Sequence, residues 1–116
     1  FGKFDYNLKE SDHYLVEAKT LFEYKQYLLA LNALQQSDRH FKLIIPNLES
    51  AKRHNKNTSP RQEILKQASQ KHVDVLIELE SKLPSEFTWT PEKSKPTIID
   101  FKQALDKSIK IRSEVL

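Results

Sequence analysis

Between Tyr27 and Arg53 the apolar or small residues recur at Ala30, Leu34, Ser37, Phe41, Ile44, Leu48 and Ala51, in alternating steps of four and three. That spacing collects side chains on one face of an α-helix, whereas strand faces repeat every two residues. At 1.5 Å per residue the helix would be roughly 40 Å long, and it needs other helices to cover its stripe. Pro46 lies inside it, lacking an amide donor and crowding the preceding turn. The sequence therefore predicts a kink between Lys42 and Pro46, or a boundary between two helices. The register continues through Leu48 and Ala51, which favours the kink.

The remaining segments fit around this one. Ser11 or Asp12 offers an N-cap for a first helix from about Asp12 to Tyr24, with Tyr14, Leu15, Ala18, Leu21 and Phe22 as its stripe. Ahead of it, Phe1, Phe4, Tyr6 and Leu8 alternate with polar residues, as in an extended lead-in or the stub of a helix. Ser59-Pro60, with Gln62 completing a capping box, starts a third helix over 60–82. Its seam is Leu65, Ala68, His72, Leu76, Leu79 and Leu83, and Pro84 stops it. SEFTWTPEKSKP reads as a loop. Thr97 with Asp100 then reads as a second capping start, for a last helix presenting Ile98, Phe101, Leu105, Ser108, Ile109, Arg112 and Val115. The expectation is one all-α domain over 1–116, an antiparallel bundle of about four helices at 12–24, 27–53 (kinked near Pro46), 60–82 and 97–116.

Composition narrows the picture. A single Gly in 116 residues argues against a sheet fold, which needs turn glycines. The net charge of +3 is mild and the two signs are interspersed, unlike the dense basic stripe of a nucleic-acid binder. The absence of Cys removes disulfides, thiolate metal sites and thiol nucleophiles from this segment. The chain has no Met and opens at Phe1, as expected of an excised domain or a processed protein. No apolar run approaches the ~18 residues of a membrane span, so any anchor would lie outside these residues.

Candidate chemistry is sparse. His72 falls on the apolar seam of the third helix, where it is either a ligand or proton-switch site or a core histidine satisfied by a partner; Ser37 or Asp38 is the expected partner. Glu10 and His13 have the Glu-x-x-His spacing of di-iron bundles, but those sites need a second such motif, which this chain lacks. No Ser sits in a glycine-supported elbow and no Gly-rich loop could hold phosphate. Neither catalysis nor a metal or cofactor is therefore expected. Lys52, Arg53, His54 and Lys56 read as a solvated helix end. Phe87 and Trp89, flanking Thr88, are expected to differ in burial and either pin the loop across the bundle or contact a ligand.

Two likenesses bear on function. EAKTLFEYKQYLLALNAL, with Ala18 and Phe22 before a turn and Tyr27, Ala30 and Leu31 after it, resembles a tetratricopeptide-type helical hairpin, without a second copy at the period an array requires. EAKTLFEYKQYLLAL, SDRHF with LESAK, and QKHVDVLIELESKLPSE together resemble an uncharacterised helical domain of bacterial membrane-anchored or secreted proteins, over roughly Tyr14 to Glu86. Missing turn glycines near Lys25 and Asn55 depart from that pattern. The resemblance implies an extracytoplasmic helical domain with a membrane segment outside this chain, and carries over no catalytic residue. The expected role is a non-enzymatic structural or protein-interaction module with an unidentified protein partner, recognising it by a helix face or by the 84–96 loop. The alternative is a small-ligand, metal-binding or pH-responsive bundle using His72, His40 and neighbouring acids such as Asp38.

Overall fold

A computed structural model describes all 116 residues. The elements in chain order are α1 (Gly2–Glu23), α2 (Tyr27–Lys42), α3 (Ile44–Arg53), α4 (Ser59–Lys82), β1 (Glu86–Trp89), β2 (Thr97–Asp100) and α5 (Phe101–Ser113). Helix α1 begins about ten residues earlier than expected. Its buried face is Phe4, Asn7, Ser11, Leu15, Ala18 and Phe22, a helical progression in steps of three and four. Ser11 is therefore no cap but a fully buried residue in mid-helix.

The long helix over 27–53 is broken at Leu43, three residues before Pro46. The Leu43 amide bonds back to His40 O, the shorter i−3 pattern, and the Asn47 amide recovers the ordinary pattern to Leu43 O. Leu43 keeps right-handed helical angles, so α2 and α3 form one bent rod. Two turns have a left-handed residue where glycine is usual: Lys25 (φ 60°) after α1 and Asn55 (φ 61°) after α3. Each is followed by a bond from residue i+5 to i, Gln26 N to Leu21 O and Lys56 N to Ala51 O, which closes the helix end.

Helix α4 starts at Ser59 with Thr58 as its flanking cap residue, one position ahead of the expected capping box. Gln62 Nε2 bonds Thr58 Oγ1 at 3.1 Å. The larger correction lies after Pro84. The expected loop and the first turn of the expected last helix form an antiparallel strand pair, Phe87 opposite Ile99 and Trp89 opposite Thr97. Helix α5 begins only at Phe101, capped by Asp100, whose carboxylate accepts the Gln103 amide at 2.9 Å. Ile98 consequently lies on an exposed strand instead of a helical seam. Phe87 and Trp89 are two apart and share one strand face. Phe87 packs against Tyr27 and Phe101, while Trp89 lies further along and is 40% exposed.

Contacts between rods establish the topology. Asn7 meets His40 and Ser11 meets Ser37, so α1 runs antiparallel to α2. Asp5 meets Arg61 and Asp12 meets His72, so α1 and α4 are parallel. Tyr27 stacks near Phe101, and Arg112 reaches Asp38, so α5 runs parallel to α2. The result is an up-down-up-down bundle with a small β-hairpin at one end, 55 Å in its longest dimension. Its apolar core is in two parts. One, at the hairpin end, is built on Leu15, Phe22, Leu34, Leu76, Phe101 and Leu105. The other, at the opposite end, comprises Phe4, Phe41, Ile44, Leu48 and Leu65. A polar layer separates them along every rod.

Candidate functional site

The polar layer is centred on Arg112, whose side chain is completely buried. Burial pushes the Arg112 guanidinium below its ordinary value, and the facing Asp38 carboxylate pulls it back. Its Nη1 donates to Asp38 Oδ1 at 2.6 Å and to Ser108 O at 3.1 Å, and its Nη2 to Ser37 Oγ at 2.7 Å. Ser108 Oγ donates to the other Asp38 oxygen at 2.7 Å. Ser37 Oγ in turn donates to Ser11 O at 2.7 Å, tying α1 into the layer. The guanidinium also lies 5.0 Å from the Phe41 ring centre.

His72 occupies the next link. Arg112 Nε donates to its Nδ1 at 2.9 Å, which requires a lone pair on that nitrogen. The proton therefore sits on Nε2 and is donated to Asp12 on α1. Arginine has no acceptor, so the direction of the chain Arg112–His72–Asp12 is settled by chemistry alone. Both ring nitrogens are engaged, and a metal or a substrate proton would have to displace a partner. The expected partner of His72, Ser37 or Asp38, is one link away: both bind Arg112 instead.

The other candidate positions are separate. His40 is buried on the α1 side of α2, where its Nδ1 lies 2.9 Å from Asn7 Oδ1 and its ring stacks on Tyr14. Burial, and secondarily Arg39, holds its pKa below the usual imidazole value. His40 and His72 are thus not brought into one pocket. Glu10 and His13 lie within α1 with His13 exposed. Phe87 and Trp89 belong to the hairpin, at the other end of the bundle from the second apolar cluster.

The largest cavity, about 830 Å³, is an open trough at that second end, between the α2–α3 rod and α4. It lies on the side of the Arg112–His72 contact away from the hairpin, beside the residues of α4 that precede His72. The trough has a floor of Phe41, Leu48 and Leu65, and Ile45 is 38% exposed at its edge. Ile111 and Val115 close it where α5 stops. Lys42, Lys52 and Lys66 stand on its rim with Glu49 and Glu114, and none of the five makes an ion pair within the chain. Sequence reasoning missed both features, although Arg112 on an otherwise apolar helix face was a legible sign of a buried counter-charge. Comparison with protein-family models, with curated proteins and with solved structures finds no match to this chain.

Proposed function

We propose that the domain is a non-catalytic recognition module that receives a protein partner in the trough between α3 and α4. The observation that carries this reading is an apolar concavity of ligand-binding size whose rim charges lack partners. The buried ionisable groups support it from the other side: Arg112, Asp38 and His72 are engaged with one another in the interior, and His72 Nε2 is committed to the half-exposed Asp12. A photo-crosslinking residue at Ile45, introduced in cells, tests the proposal against the same residue at Ile77, an exposed apolar position of α4 outside the trough. A discrete adduct from Ile45 and none from Ile77 is expected. Equal adducts at both positions, or adducts only from a probe at Trp89, would move recognition elsewhere, the latter to the hairpin. The resemblance to bacterial envelope domains extends the proposal to an extracytoplasmic location. Recovery of the protein in the cytosolic fraction of cells would overturn that part.

A further inference from the structure

His72 ties α4 to two other rods through its two ring nitrogens. Arg112 Nε donates to His72 Nδ1 at 2.9 Å, and His72 Nε2 donates to Asp12. A second proton can enter this ring only at Nδ1, where the arginine N–H already points. Donor would then face donor, and two cations would meet where His72 is 5% exposed and Arg112 is fully buried. Arg112 cannot retreat, because its Nη1 is held by Asp38 and by Ser108 O and its Nη2 by Ser37.

The charges around the ring decide whether it could stay. On α2, Asp38 is committed to Arg112 and offsets that charge, and Phe41, 5.6 Å from the His72 ring, carries none. From α1 the ring faces Asp12, whose side chain is 52% exposed, and from α5 it faces Arg112. Lys19 and Glu23, further along α1, pair with each other at 3.9 Å, and Lys71 is the exposed neighbour of His72 on α4 itself. Asp12 alone answers the new charge, and water weakens its attraction. Repulsion from Arg112 acts in the interior, where a low dielectric makes Coulomb energies larger. The repulsion wins. The ring also has somewhere to go. A cavity of about 530 Å³ between α1 and α4 is walled by Val16, Ile64, Ala68 and Val75, and both His72 and Asp12 line it.

We infer that His72 is a proton-driven side-chain switch. Neutral, it sits between α1 and α5 and completes the buried layer. Protonated, it swings into the α1–α4 cavity, stays beside Asp12 and leaves Arg112 Nε without an acceptor. The swung ring holds one proton more than the seated ring, so acid favours it, by about tenfold in the ratio of the two for each pH unit. The switch is independent of what the trough receives.

The test is a side-chain NMR titration of the 116-residue domain from pH 7.5 to 5, following the Arg112 Nε–H signal and the cross-peak between the Phe41 and His72 rings. His72→Gln is the control, since glutamine can accept from Arg112 with its Oε1 and donate to Asp12 with its Nε2, yet takes up no proton. It leaves His40, Asp12 and Asp38 in place, so a difference between the two proteins belongs to His72. In the wild type the Arg112 signal should shift as the His72 ring gains its proton, and the cross-peak to Phe41 should fade with it. In His72→Gln the Arg112 signal should stay fixed. Proton uptake by His72 with both signals unmoved would overturn the switch. So would a ring that stays neutral to pH 5, or an equal Arg112 shift in His72→Gln. The wild-type titration decides alone if His72→Gln does not fold.

Discussion

Replacing Arg112 with Met removes the guanidinium and keeps most of the apolar stem, so the change isolates the polar layer. Asp38, with its side chain only 12% exposed, would keep Ser108 as its sole side-chain donor, and Ser37 Oγ and His72 Nδ1 would each lose a partner. Breaking a buried ion pair from one side costs about 3–5 kcal/mol, because a charge is left in the interior without compensation. A 116-residue domain has of the order of 6–17 kcal/mol to lose, at ~0.05–0.15 kcal/mol per residue. With a urea dependence near ~1.5 kcal/mol per molar, the midpoint should fall by about 2–3 M. Urea unfolding followed by CD reads this directly, and an unchanged slope shows that the folded state is retained. Asp38→Leu should cost a similar amount, and the double variant less than the two singles together by about 2–3 kcal/mol, since neither charge is then stranded. A loss under about 1 kcal/mol for Arg112→Met, or strict additivity, would refute the account of the layer as a coupled unit.

Three further outcomes are expected. Lys25→Gly removes a side chain from a left-handed residue and should stabilise the fold by about 1 kcal/mol, a melting-temperature gain of about 3–6 °C; Asn55→Gly should gain less, because Asn tolerates that conformation, and the reverse order would contradict the reading. His40 is held below the ordinary imidazole pKa, so between about 6.5 and its folded value the unfolded chain binds more protons. Its contribution is therefore complete above pH ~6.5 and declines on acidification by up to about 1.4 kcal/mol per pH unit; melts of wild type and His40→Gln from pH 7.5 to 5 should converge, and parallel curves would refute this. Asp100→Ala should cost about 1 kcal/mol and expose the Gln103 amide to hydrogen exchange, whereas unchanged protection would deny the cap.

The apolar periodicities of α2 to α5 were legible because tertiary packing and local pattern agree there: Leu34, Phe41, Leu65, Leu76 and Leu105 are all buried as their spacing requires. The start of α1 was hidden by Asn7 and Ser11. They occupy its buried face but are polar, being satisfied by Asn47, His40 and Ser37 on the facing rod, and such partners do not register in a one-dimensional pattern. The hairpin was hidden by brevity, four residues per strand with Pro91 and Pro96 in the connection between them, which read as loop signals. For the site, Asp38 and His72 were visible singly, but the residue that joins them lies 74 and 40 positions away from them, respectively. The trough is lined from α2, α3, α4 and the end of α5 together, which is a property of the assembled rods.

These separations also order events in time. The Ser11–Ser37 link closes a span of 26 residues within one helical hairpin, whereas Arg112–Asp38 and Asp12–His72 close spans of 74 and 60. Loop-closure entropy favours the short span first, so the α1–α2 pair is the natural nucleus and the arginine layer is completed after the rate-limiting step. Stability removed at Arg112 should then appear almost entirely as faster unfolding, with the refolding limb of the chevron unmoved, while Leu15→Ala in the early pair should slow refolding. The charged layer would thus act as a latch on a bundle already assembled, setting how long the native state lasts and not how quickly it is reached.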